Sequence, residues 1–415
     1  MKQLPAILGG QKEIHQVHQF QTRVKYQKQD WEDVAELMKH GDLSTHPVIR
    51  QLEQDYCQQT ERRYGLAHCN GTAALLASFF AIGLKPGDEV IVPAATFWAS
   101  ASPMTWLGAV PVFCESETMT LGPDPKHIES LITEKTRAIV MVHLWGMPCQ
   151  VDEILDIAKR HNLKVIEDAS HAHGAIYKGK PCGSFGDISV LSLQGDKLAP
   201  GGEGGILLCD EYSFFEKACC LGDITRIIEL DSPARRFAGT GFGLKTRIAP
   251  ISALIAKNSL ARLDDTNKQR EMNCHMLIEG LQKYQLSFCQ SSRPNKRVFF
   301  ELIAQVKDEQ LISVGALEAA LQAEGCMIGV PRYPLLHQQP FFTEGTFNQF
   351  SRLEHRNIPD YSSVTLPTTE ATCKSMLAIP MLIDHKELIP QYIKAFDKVM
   401  NSAELIESTW RKQNA

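Results

Sequence analysis

Hydrophobic positions along the chain follow two alternating rhythms. Short apolar runs rich in Val and Ile stand at 89–93, 110–114, 138–143, 164–167, 188–193 and 205–209, and they read as buried strands. Between them, apolar residues recur every three or four positions over 72–82, 96–107 and 151–160, which predicts helices. Strands alternating with helices require βαβ units. The expected fold is therefore α/β, with a mostly parallel central sheet covered by helices. The rhythm breaks near Asp210. A polar, Gly-containing stretch at 223–243 leads into an apolar helix at 250–263. The remainder mixes helices (267–284, 314–324) with short strands (297–306, 376–380), as a smaller α+β domain would. The first thirty residues are polar and Gln-rich with little periodicity, which predicts an arm ordered by packing on something else. The expected organisation is an arm over 1–30, a large α/β domain over 31–250 and a small C-terminal α+β domain over 251–415.

Composition narrows the picture without changing it. A chain of 415 residues is long enough for two or three domains, and 44% hydrophobic with 22% charged residues is ordinary for a globular protein. A net charge of −5 gives no electrostatic reason to expect nucleic acid or an anionic membrane as partner. Twelve cysteines are scattered from Cys57 to Cys373 with no pair at C-x-x-C spacing, so reduced thiols in a cytoplasmic protein are expected rather than zinc or disulfides. The apolar stretch at 4–8 is too short for a secretory signal. The run at 66–84 contains Asn70 and two glycines, and it reads as a buried loop and helix rather than a membrane span.

Three segments carry candidate chemistry. Ligands of open α/β sheets bind outside the carboxyl ends of the strands, where Lys164-Val-Ile-Glu-Asp168 places two carboxylates. Asp168 there could pair with a protonated ring nitrogen, though a lone Glu-Asp pair serves equally as a helix cap or structural ion pair. Asn70-Gly-Thr-Ala-Ala-Leu75 passes from a polar turn into a helix; Gly71 permits close approach, and Thr72 offers a hydroxyl beside free N–H groups that suit an anion. Alone, it is only a well-capped helix. Ser192-Leu-Gln-Gly-Asp-Lys197 follows a buried run and precedes Gly201-Gly-Glu-Gly-Gly205. A desolvated lysine has a lowered pKa and adds to aldehydes, whereas a lysine in a flexible glycine loop needs no function. Taken together, the three segments supply a phosphate site, a carboxylate for a pyridine nitrogen and an aldehyde-binding amine. Those are the groups that pyridoxal 5′-phosphate (PLP) requires. Phe97, in Pro93-Ala-Ala-Thr-Phe97, could cover the ring or simply fill a core. A zinc site on His171-x-His173 lacks a further ligand pair, so no metal is expected.

With these motifs in order, the sequence resembles the DegT/DnrJ/EryC1/StrS aminotransferases, fold-type I PLP enzymes that aminate keto-sugars and cyclitols. The resemblance runs from about Gly41 to Lys398 and also includes Pro86-Gly-Asp-Glu-Val-Ile-Val-Pro93, Gly108-Ala-Val-Pro-Val-Phe113, Val142-His-Leu-Trp-Gly146 and Ile166-Glu-Asp-Ala-Ser-His-Ala-His-Gly174. It implies that Lys197 forms the Schiff base and shuttles the proton, and that Asp168 keeps the pyridinium nitrogen protonated. It also implies that Gly71, Thr72 and Ser192 bind the phosphate and that Phe97 stacks on the ring. Two positions depart from the family pattern: His171 stands where Gln is usual, and could still lie against the ring. Lys245 stands where the family more often has the Asn that reaches the cofactor phosphate of the neighbouring subunit. The resemblance further implies a homodimer with shared active sites and ping-pong transfer from glutamate or glutamine. The expected acceptor is a keto-sugar, nucleotide-linked in most of the family, with a keto-inositol or aminoshikimate-type ring as the alternative. A sugar dehydratase of this fold would carry His in place of Lys197. A non-catalytic PLP-binding regulator would need a DNA-binding appendage, and no basic helix-turn-helix segment is evident.

Overall fold

The computed structural model describes residues 3–17, 26–289, 291, 294–307, 311–354 and 359–414. Among the described residues, twelve strands form three sheets: β1 (Tyr64–His68), β2 (Glu89–Pro93), β3 (Val110–Cys114), β4 (Thr136–Val142), β5 (Lys164–Asp168), the short pair β6 (Ile176–Tyr177) and β7 (Lys180–Pro181), β8 (Ile188–Ser192), β9 (Gly205–Cys209), β10 (Leu286–Phe288), β11 (Leu302–Val306) and β12 (Met376–Ile379). The main sheet has the order β1-β9-β8-β5-β4-β2-β3. β8, β5, β4, β2 and β3 pair in parallel, and β9 alone is reversed, antiparallel to both β1 and β8. All the other carboxyl ends therefore open at one edge. The α/β expectation holds, and every residue of β8 and β9 is buried, as strands covered on both faces must be.

Two local expectations change. Tyr64–His68 is a strand, which Gly65 and His68 had concealed in a short segment without alternation. The span 96–107 is not one α-helix but two 3₁₀ pieces, Trp98–Ser100 and Ser102–Leu107. Phe97 stays extended (φ −67°, ψ 140°) and Pro103 has no N–H to donate, so a continuous α-helical ladder cannot form. That interruption turns Phe97 and Ser100 toward the sheet's open edge.

A second hydrophobic cluster surrounds the antiparallel sheet β10-β11-β12 and the helices Leu263–Leu281, Val314–Ala323 and Ile389–Met400. The described part of the N-terminal arm packs here. Ile14 is buried in this cluster, and its N–H donates to the Glu324 carbonyl at 2.9 Å. The Glu324 carboxylate accepts from the N–H groups of Ala6 (2.7 Å) and Glu13 (2.9 Å) and pairs with Lys398 (2.8 Å). Residues 1–2 and 18–25 of the arm lie outside the described residues. Farther along, Leu336, Phe342, Phe347, Tyr361 and Leu366 return to the main core beside Phe113. This return brings residues 332 and 333 to the open edge of the main sheet.

Candidate active site

β5 ends at Asp168 and β8 at Ser192, neighbouring strands whose carboxyl ends lie side by side. The Asp168 carboxylate is fixed from two sides. Ser100 Oγ donates to Oδ2 at 2.7 Å, the Ser170 N–H donates to Oδ1 at 3.1 Å, and Thr96 Oγ1 braces Ser100 Oγ at 3.0 Å. Glu167, one residue earlier, faces the other side of the strand, as alternation demands. It accepts from the N–H groups of Gly183 (2.6 Å) and Phe185 (2.8 Å) and bonds His143 Nε2 at 2.8 Å. Of the two sequence-adjacent carboxylates, only Asp168 is available to a ligand.

The loop from β1 into the helix Gly71–Ala81 lies against the end of β8. Asn70 Oδ1 caps the Ala73 N–H at 2.8 Å, and the N–H groups of Gly71 and Thr72 have no acceptor inside their own helix. A Cβ on Gly71 would stand 3.0 Å from Ser192 Cβ, and one on Gly205 would stand 2.6 Å from the Gly71 nitrogen. These two glycines let the helix N-terminus and the Ser192 hydroxyl share one cradle.

Lys197 follows β8 by a turn in which its N–H donates to the Gln194 carbonyl at 2.8 Å. The side chain is 7% exposed and its Nζ lies 4.6 Å from the centre of the Phe300 ring. Burial lowers its pKa to about 8, against the opposing pull of Asp168. His171 stacks on the same Phe300 ring. It lies 4.0 Å from Phe300 with planes 8° apart and shares a 3.1 Å hydrogen bond with the Tyr333 hydroxyl. Burial, reinforced by Lys197 and Arg332, holds its pKa well below the usual imidazole value, so it is neutral at pH 7.

Gly71, Thr72, Phe97, Asp168, His171, Ser192 and Lys197 all line one cavity of about 490 Å³. Lys245 does not; it is exposed, next to Thr246, whose carbonyl accepts the Cys69 N–H at 2.5 Å. His173 also turns away, bonding Tyr56 at 3.1 Å and the Ser192 carbonyl at 3.0 Å, which leaves no second imidazole for a metal beside His171. Among the described residues, His143, Glu167 and Cys182 do come together with metal-ligand atoms. However, Glu167 already serves two backbone donors, and both His143 nitrogens are engaged, Nδ1 by the Cys149 N–H at 3.2 Å. This is a buried hydrogen-bond network.

Sequence reasoning missed Ser100, Phe300, Glu301, Arg332 and Tyr333. Arg332 pairs with the buried carboxylate of Glu301 and lies 3.4 Å from Asp196. Only Ser100 had a readable signal, as the hydroxyl of Thr96-Phe-Trp-Ala-Ser100. The others come from segments more than 100 residues from Lys197 that carry no local motif.

The family model of the DegT/DnrJ/EryC1/StrS aminotransferase family matches residues 24–384. The chain is 30% identical over 367 residues to an L-glutamine:2-deoxy-scyllo-inosose aminotransferase of Micromonospora echinospora, covering 82% of this chain and 86% of that protein. It is 41% identical over 217 residues to a GDP-perosamine synthase of Caulobacter vibrioides, over 52% of this chain and 56% of the other. The solved structure of an aminotransferase from Psychrobacter cryohalolentis superposes with a TM-score of 0.82 at 26% identity, covering 93% of this chain and 100% of that one.

Proposed function

The chain belongs to the DegT/DnrJ/EryC1/StrS aminotransferase family, and from that premise we propose that it holds PLP on Lys197 and passes an amine from glutamate or glutamine to a keto-sugar, the sugar being nucleotide-linked. One observation carries the reading. A desolvated lysine, an anchored carboxylate and a helix N-terminus with an adjoining serine hydroxyl share a single cavity.

The donor set fits the cofactor. Gly71, Thr72 and Ser192 would take the phosphate, where N–H groups and hydroxyls meet without an intervening Cβ. Asp168 would keep a proton on the ring nitrogen, since Ser100 and Ser170 hold its carboxylate in place. Phe97, on the cavity wall, would cover one face of the ring. When bound, the cofactor supplies an aldehyde for amines and a ring that draws charge from the adjoining carbon. Lys197 would hold that aldehyde, because with its pKa lowered to about 8 about half of its amine is free of its proton near pH 8. The same Nζ would be the group placed to take and return a proton at the donor Cα. His171, neutral and buried, adds no competing positive charge at neutral pH.

Lys245 is proposed to serve the partner subunit's phosphate in a homodimer. Its neighbours Phe242 and Leu244 are 41% and 45% exposed, an apolar pair that a second copy would cover. A second acceptor reading, a free keto-cyclitol, draws support from the cavity wall. Gln194, Asp196 and Glu203 suit a hydroxyl-rich neutral ring better than a diphosphate.

The test is spectroscopic and then preparative. The purified protein should absorb in the visible, lose that band on addition of L-glutamate or L-glutamine, and regain it with the true acceptor. Paired acceptors, one a nucleotide-linked keto-hexose and the other a keto-inositol, separate the two readings. Absence of a donor-sensitive band would overturn the proposal.

A further inference from the structure

Among the described residues lining the cavity, Lys and Arg side chains number two, Lys197 and Arg332. Both lie over the same aromatic ring: Lys197 Nζ is 4.6 Å and the Arg332 guanidinium 5.4 Å from the centre of Phe300. The guanidinium and the reacting amine thus share one ring and one cavity, near enough for the Arg332 charge to act on Lys197. It is held from behind, because Arg332 Nε pairs with Glu301, whose side chain is 2% exposed. In front, Nη1 reaches Asp196 Oδ2 at 3.4 Å, a long contact to a carboxylate that is 20% exposed, against 2% for Glu301. One ion pair is buried and rigid; the other is open to exchange.

We infer that Arg332 reads the α-carboxylate of the amino donor, that Glu301 is its positioning residue, and that Asp196 is the counter-ion the donor carboxylate displaces. This rests on the aminotransferase reading above. A donor bound through its amine beside Lys197 carries its carboxylate one carbon away, and the forked guanidinium next to that amine matches it. The acceptor has no carboxylate, and while it is bound Asp196 takes Arg332 back. The exchange lets one cavity accept an anionic donor and a neutral ring in turn. A diphosphate on the acceptor offers similar chemistry, but a sugar ring would separate it from the reacting carbon.

The experiment uses full-length Arg332→Gln, Glu301→Gln and Asp196→Asn proteins. First, binding of glutarate, a dicarboxylate without an amine, is measured by calorimetry on cofactor-free protein. The expected result is at least tenfold weaker binding in Arg332→Gln and Glu301→Gln, and tighter binding in Asp196→Asn. Second, the PLP-loaded proteins are mixed with L-glutamine or with its α-amide, and the loss of the visible band is timed. The wild type should prefer L-glutamine, and Arg332→Gln should lose that preference while keeping its visible band. Opposite shifts in Arg332→Gln and Asp196→Asn are not produced by a merely structural role. A preference for L-glutamine that survives in Arg332→Gln would overturn the inference. So would loss of binding to a nucleoside diphosphate with glutarate binding intact, which would assign the guanidinium to the acceptor. A wild type whose band responds to no amino acid would instead mark failure of the aminotransferase reading itself.

Discussion

Burying a lysine beside an aspartate sets two forces against each other, and for Lys197 desolvation wins, leaving its pKa at about 8. The neutral amine is the nucleophile. The rate at which PLP attaches to cofactor-free protein should therefore climb as pH rises to about 8 and then level off. Continued increase toward pH 10 in stopped-flow traces would show an ordinary lysine. Asp168 depends on Ser100, whose 2.7 Å hydrogen bond holds one carboxylate oxygen. Ser100→Ala should lower kcat by roughly tenfold, the worth of about 1.4 kcal/mol from one charge-assisted bond, with little change in Tm. Unchanged kcat would show that the carboxylate needs no such anchor. Lys197, Asp168, Gly71 and Thr72 were legible because three short segments, each ambiguous alone, together offer the groups that one cofactor requires. Arg332 and Phe300 were not, since a cation and a phenyl ring acquire meaning only when a distant segment folds back onto the sheet edge.

Six of the seven main-sheet strands could be read from apolar runs, since a strand covered on both faces must be apolar throughout. The seventh, Tyr64–His68, escaped because glycine and histidine dilute its pattern, although it is paired along its whole length to β9. The helix expected over 96–107 failed for a functional reason. The break around Phe97 and Pro103 is what presents Ser100 to Asp168. Alternation along β5 makes a sharper claim. Asp168 faces the cavity, and Glu167 faces a buried network of two N–H donors and His143. Glu167→Gln should destabilise the protein by about 1–3 kcal/mol, because an amide NH₂ would meet a donor, while specific activity of the folded fraction persists. Urea denaturation alongside kcat separates the two effects. Loss of kcat without loss of stability would place Glu167 in the chemistry.

At the level of the assembly, the proposed homodimer would build each active site from two chains, with Lys197 from one and Lys245 from its partner. Neither a Lys197→Ala nor a Lys245→Ala homodimer should be fully active. The first lacks the nucleophile, and the second should bind PLP about tenfold more weakly for loss of one charged phosphate contact. Refolding the two variants together in equal amounts should create mixed dimers with one intact site each and restore activity toward a quarter of wild type at limiting PLP. No recovery would place Lys245 outside the shared site. This arrangement could not be read from composition or periodicity; it is an expectation from the family resemblance, in which Lys245 stands in place of the usual Asn. Everything nevertheless depends on Lys197 carrying the cofactor. Borohydride reduction of the PLP-loaded protein followed by peptide mapping tests this most directly. The expected result is one phosphopyridoxyl group per chain, on the peptide containing Lys197 and absent from Lys197→Ala. A label on another lysine, or none, would contradict it.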